Sequence, residues 1–212
     1  KIVIFFCYFF IVRLFFYYMK HNLKNIKDEE LFLLMAKGDK LSFLAFEELY
    51  NRYSSKIYTY IRKILNNSPA SDDIFQETFI RFYEFSKKCK EMTNVIGFLI
   101  KTARNLCLNE KNSKNSSHLD ISNFNFAYYD KSYEKKEINE LINIGLDALP
   151  DKYREALVLR EFMDFSYQEI ADILGISMPV VRIRIFRAKN KLREFLAPFL
   201  TENEKNKIGK IK

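Results

Sequence analysis

The chain contains no tryptophan, and only five glycines, four prolines, three cysteines and two histidines among 212 residues. Each shortage narrows the function. Scarce glycine and proline, with an apolar content of 48%, favour an all-α globular protein. Cys7, Cys89 and Cys107 are odd in number and show no C-x-x-C spacing. That excludes a disulfide framework and a zinc site, and fits a reducing, cytoplasmic compartment. His21 and His118 stand far apart, without ligand-type neighbours. No glycine-rich phosphate loop and no nucleophile elbow is visible, so no metal, no cofactor, no catalytic residue and no small-molecule substrate is expected. What is abundant is positive charge. The formal net charge of +8 suits a polyanionic partner. The length allows one or two small domains with real cores.

The stretch Ser166–Arg193 is the most informative. Ser166 and Glu169 form a Ser-x-x-Glu capping box, which satisfies orphan backbone donors at a helix start. Tyr167, Ile170, Ala171 and Leu174 follow at helical spacing, and Gly175 can take the positive φ that ends the helix. Ser177 is a good N-cap for the next helix, and Pro179 is tolerated in its first turn. Val181, Ile185, Ala188, Leu192 and Leu196 then share one stripe. At about 100° per residue, Val180, Ile183, Arg187 and Asn190 face away from it, with Arg182 and Arg184 on the flanks. A short capped helix, a tight turn and a longer basic helix are the parts of a helix-turn-helix, whose second helix enters the DNA major groove. A merely solvated basic helix interleaves Glu with Lys for i,i+4 support. Here Arg182, Arg184, Arg187, Lys189, Lys191 and Arg193 run without an acid before Glu194.

Upstream, helical patterns dominate from Asp28. Leu31, Leu34 and Met35 mark a short helix ending at Gly38-Asp39. Phe46, Leu49, Tyr50, Tyr53, Ile57, Tyr60 and Ile64 give a long amphipathic one, stopped by Asn66-Asn67-Ser68-Pro69. Ser71 is expected to cap a third, with Ile74, Thr78, Phe82 and Phe85 inward; Val95, Leu99, Ala103 and Leu106 line a fourth. Residues 112–137 are polar, aperiodic and roughly neutral, and read as a flexible linker. Helical spacing resumes at Ile138, and Leu149-Pro150-Asp151 opens a helix with Tyr153, Ala156, Leu157 and Arg160. Two helical domains are therefore expected, 19–111 and 138–200, with a basic tail at 201–212. Residues 1–18 are apolar apart from Lys1 and Arg13 and precede Met19. They read as upstream codons translated in frame, the rival reading being a membrane anchor or signal peptide.

Two further surfaces stand out. Asp73, Gln76, Glu77, Ile80 and Glu84 share the outer face of the third helix. They read as a solvated acidic face, with Asp72 and Asp73 complementing the helix dipole, or as a protein-docking face. A metal-binding carboxylate cluster there would need a second ligand group, and none is apparent. On the fourth helix Lys101, Arg104, Asn105 and Leu108 are expected to point outward. The loop before it holds Lys87, Lys88 and Lys90. Phe98 is a candidate platform for unpaired bases.

Taken together, the chain resembles a bacterial RNA polymerase sigma factor of the extracytoplasmic-function (ECF) type, from about Asp28 to Leu196 with the linker unmatched. Ser71-Asp72-Asp73-Ile74-Phe75-Gln76-Glu77-Thr78-Phe79 resembles the region 2.2 motif. Phe98-Leu99-Ile100-Lys101-Thr102-Ala103-Arg104-Asn105-Leu106 resembles regions 2.3–2.4. Leu149-Pro150, Tyr167-Gln168-Glu169-Ile170-Ala171, Leu174-Gly175-Ile176-Ser177 and Arg187-Ala188-Lys189 resemble region 4. The resemblance implies that Asp73, Gln76 and Glu77, with Ile80 on the same face, dock on core polymerase. Lys101, Arg104 and Asn105, with Phe98 and the Lys87, Lys88 and Lys90 loop, would hold the minus-ten strand. Arg182, Arg184 and Arg187, with Val180 and Ile183, would read the minus-thirty-five duplex. It also implies an anti-sigma partner and no enzymatic activity of the chain's own. Val180 and Ile183 stand where the family often has Thr and Ser; they cannot donate hydrogen bonds but can meet thymine methyls. The usual Trp near Phe98 is missing, and no room exists for region-3 helices, which favours the minimal class. The alternative is a helix-turn-helix repressor or activator with an N-terminal dimerisation domain. It would leave the acidic Asp73–Glu77 face unexplained.

Overall fold

The computed structural model describes residues 23–38, 40–66, 68–89, 91–115 and 138–199. The expectations for residues 1–18, Lys90, most of the 112–137 stretch and the 201–212 tail lie outside the described residues. Eight α-helices are present: α1 Asp28–Ala36, α2 Lys40–Ile64, α3 Ala70–Lys88, α4 Val95–Asn115, α5 Ile138–Asp147, α6 Asp151–Glu161, α7 Tyr167–Leu174 and α8 Met178–Leu196. A 3-10 turn, Ala197–Phe199, follows. Among the described residues there is no strand, and no helix is long and apolar enough to cross a membrane. The all-α expectation is met. Helix α4 runs on to Asn115, into the first residues of the stretch read as linker.

The chain forms two compact units, one of residues 1–58 and 72–103, the other of 59–71 and 104–212. In the first, the core is built on α1 to α4. Leu31, Phe32 and Met35 are buried on α1, with Phe32 taking the place expected of Leu34, which is only half-buried. Phe32 meets Phe82 at 5.9 Å between ring centroids, and Tyr50 meets Phe79 at 4.8 Å. Arg52 anchors the segment before α1. Its guanidinium donates to the Leu23, Lys24 and Ile26 carbonyls and to the carboxylates of Asp28 and Glu48. Burial depresses its pKa, but the acids outweigh burial and raise it. Tyr53 adds a hydrogen bond to Asp28.

Ser71 does not cap α3. The helix opens at Ala70, whose N–H faces the Ser68 hydroxyl at 3.4 Å, and the Ser71 hydroxyl is buried without a partner. The physical reason is Pro69: its fixed φ suits the start of a helix, so the entry shifts back by three residues to Ser68.

In the second unit α8 packs on α5, α6 and α7. Helix α6 is buried on nearly every side, at Tyr153, Arg154, Ala156, Leu157, Val158 and Leu159. A helix apolar all round sits inside its domain rather than on its surface. Each of its large apolar side chains contributes about 1.5–3 kcal/mol on burial. Arg154 is the one charge in that set. It donates to the carbonyls of Leu146 at 2.8 Å, Asp147 at 2.7 Å and Leu149 at 3.0 Å, and to the Asn66 side chain. These carbonyls close α5, where a cation also opposes the helix dipole. Gly145 permits the close approach of α5 to α8: a Cβ there would lie 2.5 Å from Leu192 Cδ1.

Candidate nucleic-acid interface

Helices α7 and α8 form the helix-turn-helix that the residue pattern implies. The Ser166 hydroxyl accepts from the Glu169 N–H at 3.2 Å, and the Glu169 carboxylate accepts from the Ser166 N–H at 2.8 Å. These two bonds hold the Glu169 carboxyl below the usual carboxylate range. Gly175 closes α7 at φ 66°. Ser177 has the extended backbone of an N-cap, but its hydroxyl makes no capping bond. Pro179, the second residue of α8, has removed one of the N–H groups such a cap would serve.

The face of α8 turned to α6 and α7 buries Val181, Ile185 and Ala188; Leu192 and Leu196 are half-buried. The opposite face carries Val180, Ile183, Arg182 and Arg187 in the open, with Arg184 half-buried at the flank. Arg182 lies over the Tyr167 ring at 5.5 Å, which Arg160 also faces at 4.9 Å. Arg187 donates to the Tyr153 hydroxyl at 3.3 Å and thereby lowers the Tyr153 pKa. Lys189 is paired with Glu161 at 2.9 Å, and Arg193 donates to Asn190 at 2.9 Å. The cations of α8 are thus oriented by single contacts, while Arg182 and Arg187 stay open to solvent. Phe186 is an exposed member of this face that the pattern analysis passed over. Its signal was present: at about 100° per residue it falls on the outward side, next to Ile183.

On α3, Asp73, Gln76 and Ile80 are exposed on one face with half-buried Glu77, and Glu77 accepts from Arg81 at 2.7 Å. Asp72 accepts from the Tyr58 hydroxyl at 3.0 Å. An exposed Ile80 among acids and an amide is a surface with both apolar and charged contacts to offer. Among the described residues, no group of three or more His, Cys, Asp or Glu is placed to hold a metal ion.

The candidate strand-binding residues are arranged less openly than expected. Lys87 and Lys88 are exposed at the end of α3, Lys87 lying 4.3 Å from the Tyr83 ring. Lys101 and Asn105 are exposed on α4. Phe98 is half-buried, its ring 4.6 Å from Phe85 and 6.0 Å from Phe82, so it is part of an aromatic cluster rather than a free platform. Arg104 does not point freely outward: its Nε donates to Glu155 Oε1 at 2.8 Å. Glu155 attracts it because the same carboxylate oxygen also serves the fully buried Tyr60 hydroxyl, at 3.1 Å. A hollow of about 30 Å³ between Arg104, Leu108, Lys111 and Arg154 has room for a water, not for a substrate.

Comparison with known proteins agrees with this geometry. Residues 49–116 match the model for Sigma-70 region 2, and residues 145–192 the model for Sigma-70, region 4. The chain is 28% identical over 190 residues to the RNA polymerase sigma-H factor of Pseudomonas aeruginosa, covering 83% of this chain and 97% of that one. It is 28% identical over 155 residues to the ECF RNA polymerase sigma factor SigM of Bacillus subtilis, covering 71% and 94%. Against the ECF RNA polymerase sigma factor SigE of Mycolicibacterium smegmatis the identity is 26% over 174 residues, covering 79% and 67%. The fold is shared with the sigma factor RpoE of Bartonella quintana, solved in complex with the anti-sigma factor NepR. The TM-score is 0.59 at 20% identity, over 72% of this chain and 96% of RpoE. With both family regions present in order, and the helix-turn-helix built as the second requires, the chain belongs to the sigma-70 family of RNA polymerase sigma factors, as a member of the ECF type.

Proposed function

We propose that this sigma factor works through three surfaces, each assigned to one partner. Asp73, Gln76, Glu77 and Ile80 of α3 dock on core RNA polymerase. Lys87, Lys88, Lys90, Phe98, Lys101, Arg104 and Asn105 hold the opened minus-ten strand. Val180, Arg182, Ile183, Arg184 and Arg187 of α8 take the minus-thirty-five duplex. The single observation that carries the reading is the outward face of α8, where open cations follow a capped helix and a tight turn. Such a helix fits the major groove, and its cations neutralise phosphates.

Residues 19–111 and 138–200 act as two readers joined by the stretch between them. Tethering raises the effective concentration of the second reader once the first is bound, so weak readers combine into useful affinity. The chain supplies binding free energy and the polymerase supplies the chemistry; extruding a base costs a few kcal/mol of unstacking. An anti-sigma protein, the partner of RpoE and CnrH in their solved complexes, is the proposed antagonist, and the cytoplasm the proposed compartment.

Run-off transcription with core polymerase on genomic fragments tests the reading. Adding the full chain is expected to create discrete new start sites. A chain that dimerises and binds duplex DNA without ever moving a start site would instead be a helix-turn-helix regulator.

A further inference from the structure

Three side chains on the outward face of α8 have no polar atom at all. Val180 is 37% exposed, Ile183 49% and Phe186 65%. They follow one another at i, i+3 and i+6 on the side away from the buried Val181, Ile185 and Ala188. Exposed apolar residues standing singly need no explanation, whereas a contiguous row marks a surface that is covered in use. Cations border this row, with Arg182 and Arg184 on its two flanks and Arg187 beside Ile183. The occupant must therefore offer apolar groups in the middle and negative charge on both sides.

Duplex DNA meets that description in one place. Side chains without donors or acceptors cannot read the hydrogen-bonding edges of adenine, guanine or cytosine. The apolar group that the major groove presents is the C5-methyl of thymine. Six residues of helix rise about 9 Å, close to three base-pair steps of about 3.4 Å. The phosphates that wall the groove, about 12 Å apart, lie where the flanking guanidinium groups reach.

We propose that α8 selects its duplex by apolar contact with successive thymine methyl groups, made by Val180, Ile183 and Phe186 between flanking arginines. This rests on the assignment of α8 to the duplex and names the base chemistry that it reads. Val180, Ile183 and Phe186 set specificity; Arg182 and Arg184 set affinity without sequence information.

The test uses full-length chain assembled with core polymerase and a pool of duplexes with a randomised segment upstream of a fixed start region. Bound duplexes are expected to be enriched in a run of two or three thymines on one strand. Uracil is then placed at each enriched thymine, which removes only the methyl. Each replacement within the α8 footprint is expected to weaken binding about fourfold, the effect of one buried carbon. Ile183→Asn and Phe186→Ala, both at exposed positions, are expected to melt with the parent chain and to lose that uracil penalty. If no duplex is enriched, the methyl reading and the duplex assignment fall together. If duplexes are enriched but uracil costs nothing at any position, only the methyl reading falls, and the apolar row then covers a protein partner. A uracil penalty that both variants retain also overturns it, because the methyl is then read elsewhere. The parent chain's thymine-to-uracil comparison stands without any variant.

Discussion

Arg104 and Glu155 form an ion pair at 2.8 Å, fifty-one residues apart in the chain, and the Tyr60 hydroxyl completes it from the other side of the carboxylate. Both charged side chains are mostly shielded, at 24% and 13% exposure. A cation whose position on α4 points to DNA therefore also has a structural role. Glu155→Ala leaves Arg104 without its acid and a buried Tyr60 hydroxyl without its acceptor. The expected loss is about 2–4 kcal/mol, read from urea unfolding. In a double-mutant cycle with Arg104→Gln, the coupling is expected to reach about 1 kcal/mol. Strictly additive losses would show that the two residues do not act as a pair.

Arg154 is expected to be the most damaging surface-chemistry residue to lose, although it touches no proposed partner. It supplies donors to three carbonyls at the end of α5 and to Asn66. Burial lowers its pKa, with Asp151 and Asp147 opposing, yet a guanidinium remains charged at any working pH. Arg154→Leu fills similar space but leaves those acceptors unmet, at a cost of about 3 kcal/mol or more. Arg154→Lys retains the charge but not the planar fork, so only partial rescue is expected. Full stability in the leucine variant would mean that these bonds are worth no more than their exchange with water.

Alkaline pH is expected to weaken the second unit. Burial pushes the Cys107 thiol up to about 12, with Glu155 and Glu110 adding and Lys111 opposing. Burial also raises the Tyr60 hydroxyl well above its usual value. Both folded forms hold a proton that the unfolded chain releases earlier. Their stabilisation is thus complete below the unfolded pKa, about 8.5 for a thiol, and lost as pH rises toward the folded value. Unfolding midpoints measured from pH 8 to 11 should fall, and Cys107→Ala should flatten part of that fall. A pH-independent midpoint across this range would count against burial of these groups.

Much of the helix-turn-helix was legible because its signals are local. The Ser166–Glu169 box, the turn at Gly175 and the Val181, Ile185 and Ala188 stripe each involve residues within about two turns of one another, and the structure contains them. Periodicity also found the inward Ile74, Thr78 and Phe82 of α3. What it missed is long-range. Helix α6 reads as one-sided from its spacing, but its neighbours enclose it, so Val158 and Leu159 are buried as well. The partners of Arg104 and Arg154 lie dozens of residues away, at Glu155 and Asn66, and no local pattern announces them. Phe32 replaces Leu34 in the core because Phe82 and Phe85 provide rings for it to meet.

The capping box gives a prediction on the acid side. Ser166→Ala removes the acceptor for the Glu169 N–H and is expected to cost about 1 kcal/mol. The Glu169 pKa is depressed, first by its bond with Ser166, so its contribution is complete above the unfolded value and is lost as pH falls through the folded one. Parent and Glu169→Gln chains should therefore differ in melting temperature at pH 7 and converge near pH 3. A difference that persists undiminished in acid would assign the effect to packing, not to the carboxylate.

The cations of α8 are expected to separate by salt dependence. A side chain that neutralises one phosphate contributes a slope of about −0.9 to log K against log salt. Arg184→Gln and Arg182→Gln should each reduce the magnitude of the slope by about one and weaken all duplexes alike. Tyr153→Phe removes the hydroxyl that orients Arg187 but leaves the charge. It should therefore weaken binding by no more than a few-fold while keeping the slope, since counterion release depends on charge and not on aim. Filter binding of the full chain with core polymerase at several salt concentrations distinguishes the two kinds of effect. A changed slope in Tyr153→Phe would mean that Arg187 meets its phosphate only when that hydroxyl holds it in place.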